Sequence, residues 1–302
     1  MQQTYNYKKG LTAIFFCYLL WGSQPLYWNL CKGIDTFFML ASRIVWASVA
    51  CLVLLRIQGK LDQYAAVFKN RSFLMREIPC MLLLFADWAI YLWAVSNGRV
   101  LECALGYYIQ PVVIFLFGAL IYKEKINWKH GIVIALIVVG IFWSAKGFNG
   151  VPWVTIALAF LFSIYTAIKK SLPLDSIVST SCEITLMLPI SIFMILAFYR
   201  GDNGVAGLDL PKLLLVMGSG IVTAAPMLLF SISLANLPLT TNAGCQYLSP
   251  TISIFCGAVL GEVLTKDKLI SFIFIWAAIV IYTVISLSDI RGSKDNRPAG
   301  DS

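Results

Sequence analysis

Histidine is almost missing from this 302-residue chain, and charge is scarce. Only His130 is present, and 13% of residues are charged against 59% hydrophobic. A lone histidine at a loop position excludes a Ser/His/Asp site. No Walker sequence occurs, so ATP does not drive a cycle here. The eight cysteines (Cys17, Cys31, Cys51, Cys80, Cys103, Cys182, Cys245 and Cys256) show no CxxC or Cys/His metal spacing. That pattern argues against a zinc site or a disulfide framework. Most of them lie in apolar runs, where cysteine serves as a small packing residue. The net charge of +8 is not arranged as a basic stripe interleaved with aromatics, so no nucleic-acid partner is expected. No small-x-small cleavage site follows the first apolar run. Lys8 and Lys9 precede that run, which extends to about Leu30 and reads as a retained helix rather than a signal peptide.

What the chain has in abundance is apolar length. Mean hydropathy is +0.81, and a soluble fold of this size could not hide so much apolar surface. A bilayer can. Spanning its core takes about 20 apolar residues as a helix, and ten runs qualify, at about 10–31, 36–57, 77–97, 102–122, 128–146, 152–170, 177–199, 212–235, 241–261 and 268–288. They are too long and too continuously apolar for barrel strands. The expected fold class is therefore all-α integral membrane with ten transmembrane helices. Residues 1–9 form a cytoplasmic N-terminus, and 289–302 a disordered cytoplasmic tail rich in polar residues, Pro and Gly. Fifteen Lys and Arg residues fall on the side of the N-terminus, seven on the other, and Arg43 inside the second helix. This bias puts both termini in the cytoplasm of a cell inner membrane.

The two halves resemble each other. Asn97, Ala104, Tyr108, Pro111, Gly118 and Ala119 match Asn236, Ala243, Tyr247, Pro250, Gly257 and Ala258, every pair offset by 139. Helix four thus repeats as helix nine, and the unit is five helices: 10–146 first, 152–288 second. An odd unit enters the membrane upside down the second time. Inverted repeats of this kind build carriers that alternate access around a midplane site.

At Trp21-Gly22, Pro25-Leu26-Tyr27-Trp28, Ser42-Arg43-Ile44-Val45-Trp46, Asp87-Trp88, Trp93-Ala94-Val95 and 102–111 the chain resembles the drug/metabolite transporter superfamily. Within it the match is to the EamA-type RarD group. Pro152-Trp153, Cys182-Glu183-Ile184-Thr185 and 246–251 extend the resemblance over nearly the whole membrane region. The resemblance implies ten helices, an inverted repeat and a central cavity. The group carries a chloramphenicol-sensitivity or drug-permease label, which says little about natural substrate. The chain departs from the usual pattern at Ser42, where histidine is common before the arginine, and at Asp87, where asparagine is common before the tryptophan. Both changes bear on substrate choice or proton coupling.

Charges inside spanning helices are costly and default to functional hypotheses. Arg43, Asp87 and Glu183 are the three candidates. Counting rise along each helix puts them about 20, 15 and 9 Å from the cytoplasmic side. Arg43 is expected to pair with Asp87 near the midplane, with Glu183 nearer the inner gate. Either carboxylate is a candidate proton carrier; the competing reading is a fixed structural pair or a helix-end carboxylate. Trp21, Trp28, Trp88, Tyr91, Tyr107, Tyr108, Tyr165 and Tyr247, with Gln110 and Gln246, are candidate substrate-binding groups. Stacking rings with a few polar groups suit an amphipathic or aromatic organic molecule. The same rings also pack helices. Gly22, Gly106, Gly118, Gly244 and Gly257 permit close helix approach. Pro25, Pro111, Pro226 and Pro250 interrupt helix hydrogen bonding, and the repeat-matched Pro111 and Pro250 are candidate gating hinges. Glu124 and Glu262 read as interface charges.

The expected function is secondary active transport of a small organic metabolite or drug, with export the favoured direction. The alternatives are an amino-acid or nucleoside-like importer or exchanger and, from another class, a membrane-embedded enzyme or lipid scramblase. No clustered acid/base constellation supports an enzyme. No cofactor or metal is expected. The expected partners are the substrate, the bilayer and protons as coupling ion, in a monomer or weak homodimer.

Overall fold

The structure, a computed structural model, describes residues 5–97, 100–124, 131–132, 135, 139, 153–199, 204, 207–260, 273, 277 and 281. Among them every regular element is an α-helix. In chain order these are α1 (Tyr7–Leu30), α2 (Thr36–Ile57), α3 (Leu61–Lys69), α4 (Arg71–Ser96), α5 (Val100–Leu120), α6 (Trp153–Lys170), α7 (Ser176–Leu186), α8 (Leu188–Phe198), α9 (Leu210–Asn236), α10 (Leu239–Gln246) and α11 (Leu248–Val259). Among the described residues, four segments are long and apolar enough to cross a membrane: Thr36–Ile57, Trp153–Lys170, Ser176–Phe198 and Leu210–Asn236. Eight of the ten expected spans coincide with described helices. The expected spans 128–146 and 268–288 lie outside the described residues but for isolated positions, and Glu262 and the tail 289–302 lie outside them altogether.

Three expectations need correction. The run 177–199 is not one helix: its hydrogen-bond ladder breaks at Met187, between α7 and α8. The run 241–261 breaks likewise at Tyr247, between α10 and α11. Each break lies two or three residues before a proline, Pro189 or Pro250. Proline offers no N–H to the carbonyl four residues back, and its ring crowds that carbonyl. The backbone stays in the helical region at both breaks, with φ −79°, ψ −14° at Met187 and φ −65°, ψ −12° at Tyr247. The ladder is interrupted while the chain keeps its course. Pro25, Pro79, Pro111 and Pro226 lie inside unbroken helices. Third, α3 falls outside every expected run. At nine residues it is too short to span. It is amphipathic, with Leu61, Tyr64 and Val67 packed beside Leu55, Val178 and Cys182, and Asp62 and Lys69 in its first and last turns.

The packing is reciprocal between the halves. Helix α1 lies against α9 and α11, and α6 lies against α4 and α5. Helix α2 lies against α9 and against the α7–α8 pair. The helix starts also recur. Asp35 caps α2 by accepting from the amides of Phe37 and Phe38, both at 2.9 Å. Asp175 caps α7 by accepting from Ile177 at 3.0 Å and Val178 at 3.2 Å. Their backbones agree within a degree, φ −57°, ψ 135° and φ −58°, ψ 134°. An aspartate at this position answers two of the unpaired amides that every helix start leaves, and its charge suits the helix dipole.

Two glycines set the closest helix approaches. A Cβ on Gly22 of α1 would stand 2.6 Å from Ile252 and 2.7 Å from the Ser249 carbonyl of α11. One on Gly220 of α9 would stand 2.3 Å from the Trp46 carbonyl carbon of α2. Neither distance admits a side chain, so glycine is what lets these backbones touch.

Candidate functional site

The candidate residues fall into three groups along the helices, bounded by a polar contact at each end. The first group surrounds Arg43, in the first half of α2. Its guanidinium lies 4.5 Å from the ring centre of Trp88 on α4 and 5.9 Å from that of Trp28 on α1. The ring faces attract the cation through their quadrupole. Asp87, one residue before Trp88, is 2% exposed, and its Oδ1 has no hydrogen-bond partner. The expected Arg43–Asp87 ion pair is absent among the described residues, because the side chains of consecutive residues on α4 point to different faces. Trp88 takes the arginine. Asp87 lies within electrostatic reach of the Tyr107 hydroxyl on α5, together with Tyr91 and Cys103. The Tyr91 and Tyr107 rings are 5.7 Å apart.

The second group is central and tightly packed. Trp21 meets Tyr18, Phe162 and Phe230 at ring distances of 5.4 to 6.2 Å, and Phe162 continues to Tyr165 at 5.5 Å. The side-chain amide of Gln246 donates to Gln110 Oε1 at 2.7 Å, and that of Gln110 donates to the Leu158 carbonyl at 3.1 Å. The two glutamines thus tie α10 to α5 and α6. The Tyr247 hydroxyl donates to the Tyr108 carbonyl at 3.1 Å, across a sequence separation of 139. These are two of the residues that the sequence matches at an offset of 139.

The third group is only partly visible in sequence. Glu183 on α7 is fully buried and accepts from Lys169 Nζ at 2.7 Å and the Tyr165 hydroxyl at 3.1 Å. Lys169 also donates to Ser179 at 3.1 Å. Lys169 and Lys170, which in sequence count as loop charges, are 5% and 6% exposed. The aliphatic stems of the last turn of α6 turn inward, and their ammonium groups find buried partners. Lys170 donates to the carbonyls of Leu237 at 2.6 Å and Leu234 at 3.2 Å, the natural place for a cation at the end of α9. Glu77, at the start of α4, escapes a sequence reading because it sits where the apolar run begins. It is 0% exposed. A polar cavity of about 90 Å³ adjoins this group, walled by Lys169, Lys170, Ser176, Ser179, Ser231 and Leu234 among others.

The two bounding contacts lie at opposite ends of α2. At one end of α2, Lys60 donates to the capping Asp175 at 2.8 Å. At the other, the Tyr199 hydroxyl donates to the capping Asp35 at 2.6 Å. Burial pushes both carboxyls up, but their hydrogen bonds outweigh it and hold both below the usual aspartate value. For Asp35 these come from Tyr199, Phe38 and Phe37; for Asp175, from Lys60, Val178 and Ile177. The two contacts also show that α2 runs antiparallel to α7–α8. A further carboxylate, Glu124, is not merely an interface charge: it accepts from the amides of Leu239 at 2.6 Å and Thr240 at 2.8 Å, capping α10 from a distant part of the chain.

The chain is similar to known proteins in sequence and in fold. The pattern of the EamA-like transporter family matches residues 8–145. The uncharacterized transporter YojE of Bacillus subtilis is 33% identical over 294 residues, covering 96% of this chain and 98% of its own. Protein RarD of Streptomyces exfoliatus is 30% identical over 290 residues, covering 95% and 92%. A crystal structure of a protein with 17% sequence identity superposes with a TM-score of 0.69, covering 92% of this chain and 97% of that one. At that identity the last match speaks for a shared fold alone.

Proposed function

We propose, from the premise that the chain belongs to the EamA-like transporter family, that it is a secondary carrier exporting a small organic molecule across the inner membrane by alternating access. A multi-pass membrane transporter of small molecules is what the family and the apolar helices establish. The mechanism, direction and substrate class are our reading.

The observation that carries it is the pair of contacts at opposite ends of α2. The helix has 22 residues, hence a length of about 33 Å, close to the hydrocarbon thickness of a bilayer. One contact therefore faces each aqueous side. An exposed ion pair such as Lys60–Asp175 contributes about 1 kcal/mol or less. That weakness suits a latch that has to open thermally. Opening one latch while the other holds is alternating access in an inverted repeat.

Between the latches, Trp28, Arg43 and Trp88 form the binding end, with Asp87, Tyr91 and Tyr107 beside them. Trp21, Tyr108, Gln110, Tyr165, Gln246 and Tyr247 form the packed floor. Flat rings around one cation and one carboxyl suit an aromatic or amphipathic substrate with a polar head. Glu183 and Asp87 are the candidates for coupling that the sequence offers, and Pro111 and Pro250 those for hinging. The lysine and arginine bias supports cytoplasmic termini, and a monomer or weak homodimer suffices for this arrangement.

The test is a screen of aromatic and amphipathic organic compounds in proteoliposomes, with and without a pH gradient. Saturable flux of at least one compound, accelerated by the gradient and lost in Arg43→Ala and Trp88→Ala, is expected. Flux that those variants leave unchanged contradicts the assignment of the binding end.

A further inference from the structure

Glu77 belongs to a cluster of two carboxyls, its own and that of Glu183, and one ammonium. From α6 it meets Lys169 and Tyr165; from α7, Glu183, Cys182 and Ser179; on its own helix, Cys80. Cys51 of α2 and Tyr64 of α3 stand behind these groups. Helix α5, also packed on α4, brings Cys103 and Tyr107 to the other half of that helix, beside Asp87. The one ammonium is already taken: Lys169 is hydrogen-bonded to Glu183 and Ser179. Glu183 is satisfied at both oxygens, by Lys169 and Tyr165. Glu77 has no ammonium of its own. It is fully buried, neither of its carboxyl oxygens makes a hydrogen bond of good geometry, and the polar groups beside it are the Ser179 hydroxyl and the Glu183 carboxyl.

If all three groups were ionised, the cluster would carry a net negative charge away from water and lipid headgroups. An uncompensated buried charge is strongly unfavourable. One added cation removes the difficulty. A metal ion would need several oxygen ligands around it, and both Glu183 oxygens are already occupied by Lys169 and Tyr165. A proton needs only one oxygen. The cavity of about 90 Å³ comes as close as Lys169 and Ser179, which stand between it and Glu77, and is lined by serines and a second lysine. It has room for a few waters. Asp175, the acceptor of the Lys60 latch, stands in the chain between Leu174 and Ser176, both in that cavity's wall.

We propose that Glu77 is the proton-carrying group of this transporter, neutral in the conformation seen and deprotonated when the Lys60–Asp175 end opens to water. The step is a simple ionisation. The Glu77 O–H bond breaks, its electron pair stays on the carboxylate, and the proton passes to water in the cavity. The released carboxylate then competes with Glu183 for Lys169, loosening the α6–α7 contact that closes this end. The proposal rests on the carrier reading above, but its test needs no substrate.

The experiment uses full-length protein in proteoliposomes carrying Cys182 as the sole cysteine, labelled with a membrane-impermeant maleimide across a range of pH. Cys182 is buried in the closed conformation. Labelling is expected to rise several-fold toward alkaline pH in the Glu77-containing protein. It should stay low at every pH in Glu77→Gln, which fixes the neutral form. Glu77 and Cys182 interact electrostatically, and loss of a neighbouring negative charge favours the thiolate, so a direct effect on the thiol would raise labelling in Glu77→Gln, the opposite of the expected result. Equal pH dependence in the two proteins, or none in either, overturns the proposal. Protection of Cys182 by sodium ions at constant pH also overturns it, in favour of a metal cation. Should Glu77→Gln fail to fold, infrared spectroscopy of the Asp87→Asn protein decides. A protonated-carboxyl band at neutral pH that disappears at alkaline pH is expected, and its absence refutes a neutral Glu77. Positive labelling and infrared results with an empty substrate screen would spare this proposal while counting against the proposed transport.

Discussion

Arg43 and Glu124 show how differently two charges can be settled in one bundle. Arg43 is legible in sequence as a functional candidate, since an arginine inside an apolar run is rare and costly. Its partner is not legible. Spacing along a helix says which residues share a face, but the choice between Asp87 and Trp88 depends on the rotation of α4 against α2. Glu124 looks like a boundary charge because the donors to its two oxygens, Leu239 and Thr240, lie 115 and 116 residues away. It holds the start of α10, where the amides and the helix dipole both favour an anion. Replacing it by glutamine keeps one acceptor and loses the charge. Glu124→Gln is expected to cost about 1 kcal/mol, seen as a lower Tm in detergent without any change of fold. An unchanged Tm would mean that solvent caps α10 equally well in its absence.

At the scale of elements, eight of the spans are readable because a run of about twenty apolar residues is hard to place anywhere but in lipid. What escapes is the interruption of two of them. Pro189 and Pro250 are visible, but Pro25, Pro79, Pro111 and Pro226 sit in helices that stay whole, so the residue type alone does not decide the outcome. Helix α3 escapes because a length threshold for spanning ignores short amphipathic pieces. The tightest contact between elements, Gly220 of α9 on Trp46 of α2, is also hidden; Gly218 and Gly220 resemble ordinary small residues in a membrane helix. Since an added Cβ would fall 2.3 Å from backbone, the helices would have to separate. Gly220→Val is expected to cut the yield of folded, monodisperse protein sharply, while Gly33→Ala, whose site has no atom within 4 Å, meets only the strain of its φ of +88°. Normal yield and stability for Gly220→Val would contradict the packing of α2 on α9.

For the whole molecule, tyrosines 108 and 247, offset by 139 in the sequence, touch, and Asp35 and Asp175, offset by 140, cap α2 and α7 in the same way. The latch partners, Lys60 and Tyr199, are not legible in sequence, being different residue types at corresponding places. Both capping carboxyls are held below their usual value. A lowered carboxyl stabilises the fold at any pH above its unfolded value, and that contribution is lost as pH falls through the lowered folded value. Both contacts therefore persist at neutral pH and weaken together only in strong acid. On the proposal above, a change of conformation near neutral pH originates at Glu77 instead.

The central claim, that the two ends open in alternation, is tested most directly by two spin-label distances in reconstituted protein with its native cysteines replaced. Labels at the exposed positions Gln58 and Ser171 report the Lys60–Asp175 end, and labels at Lys32 and Phe198 report the Asp35–Tyr199 end. The account predicts two populations at each end that shift in opposite directions. Asp175→Asn should lengthen the first distance and leave the second short, and Asp35→Asn should do the reverse. Distances that lengthen together, or a single fixed distance at both ends in every variant, would contradict it.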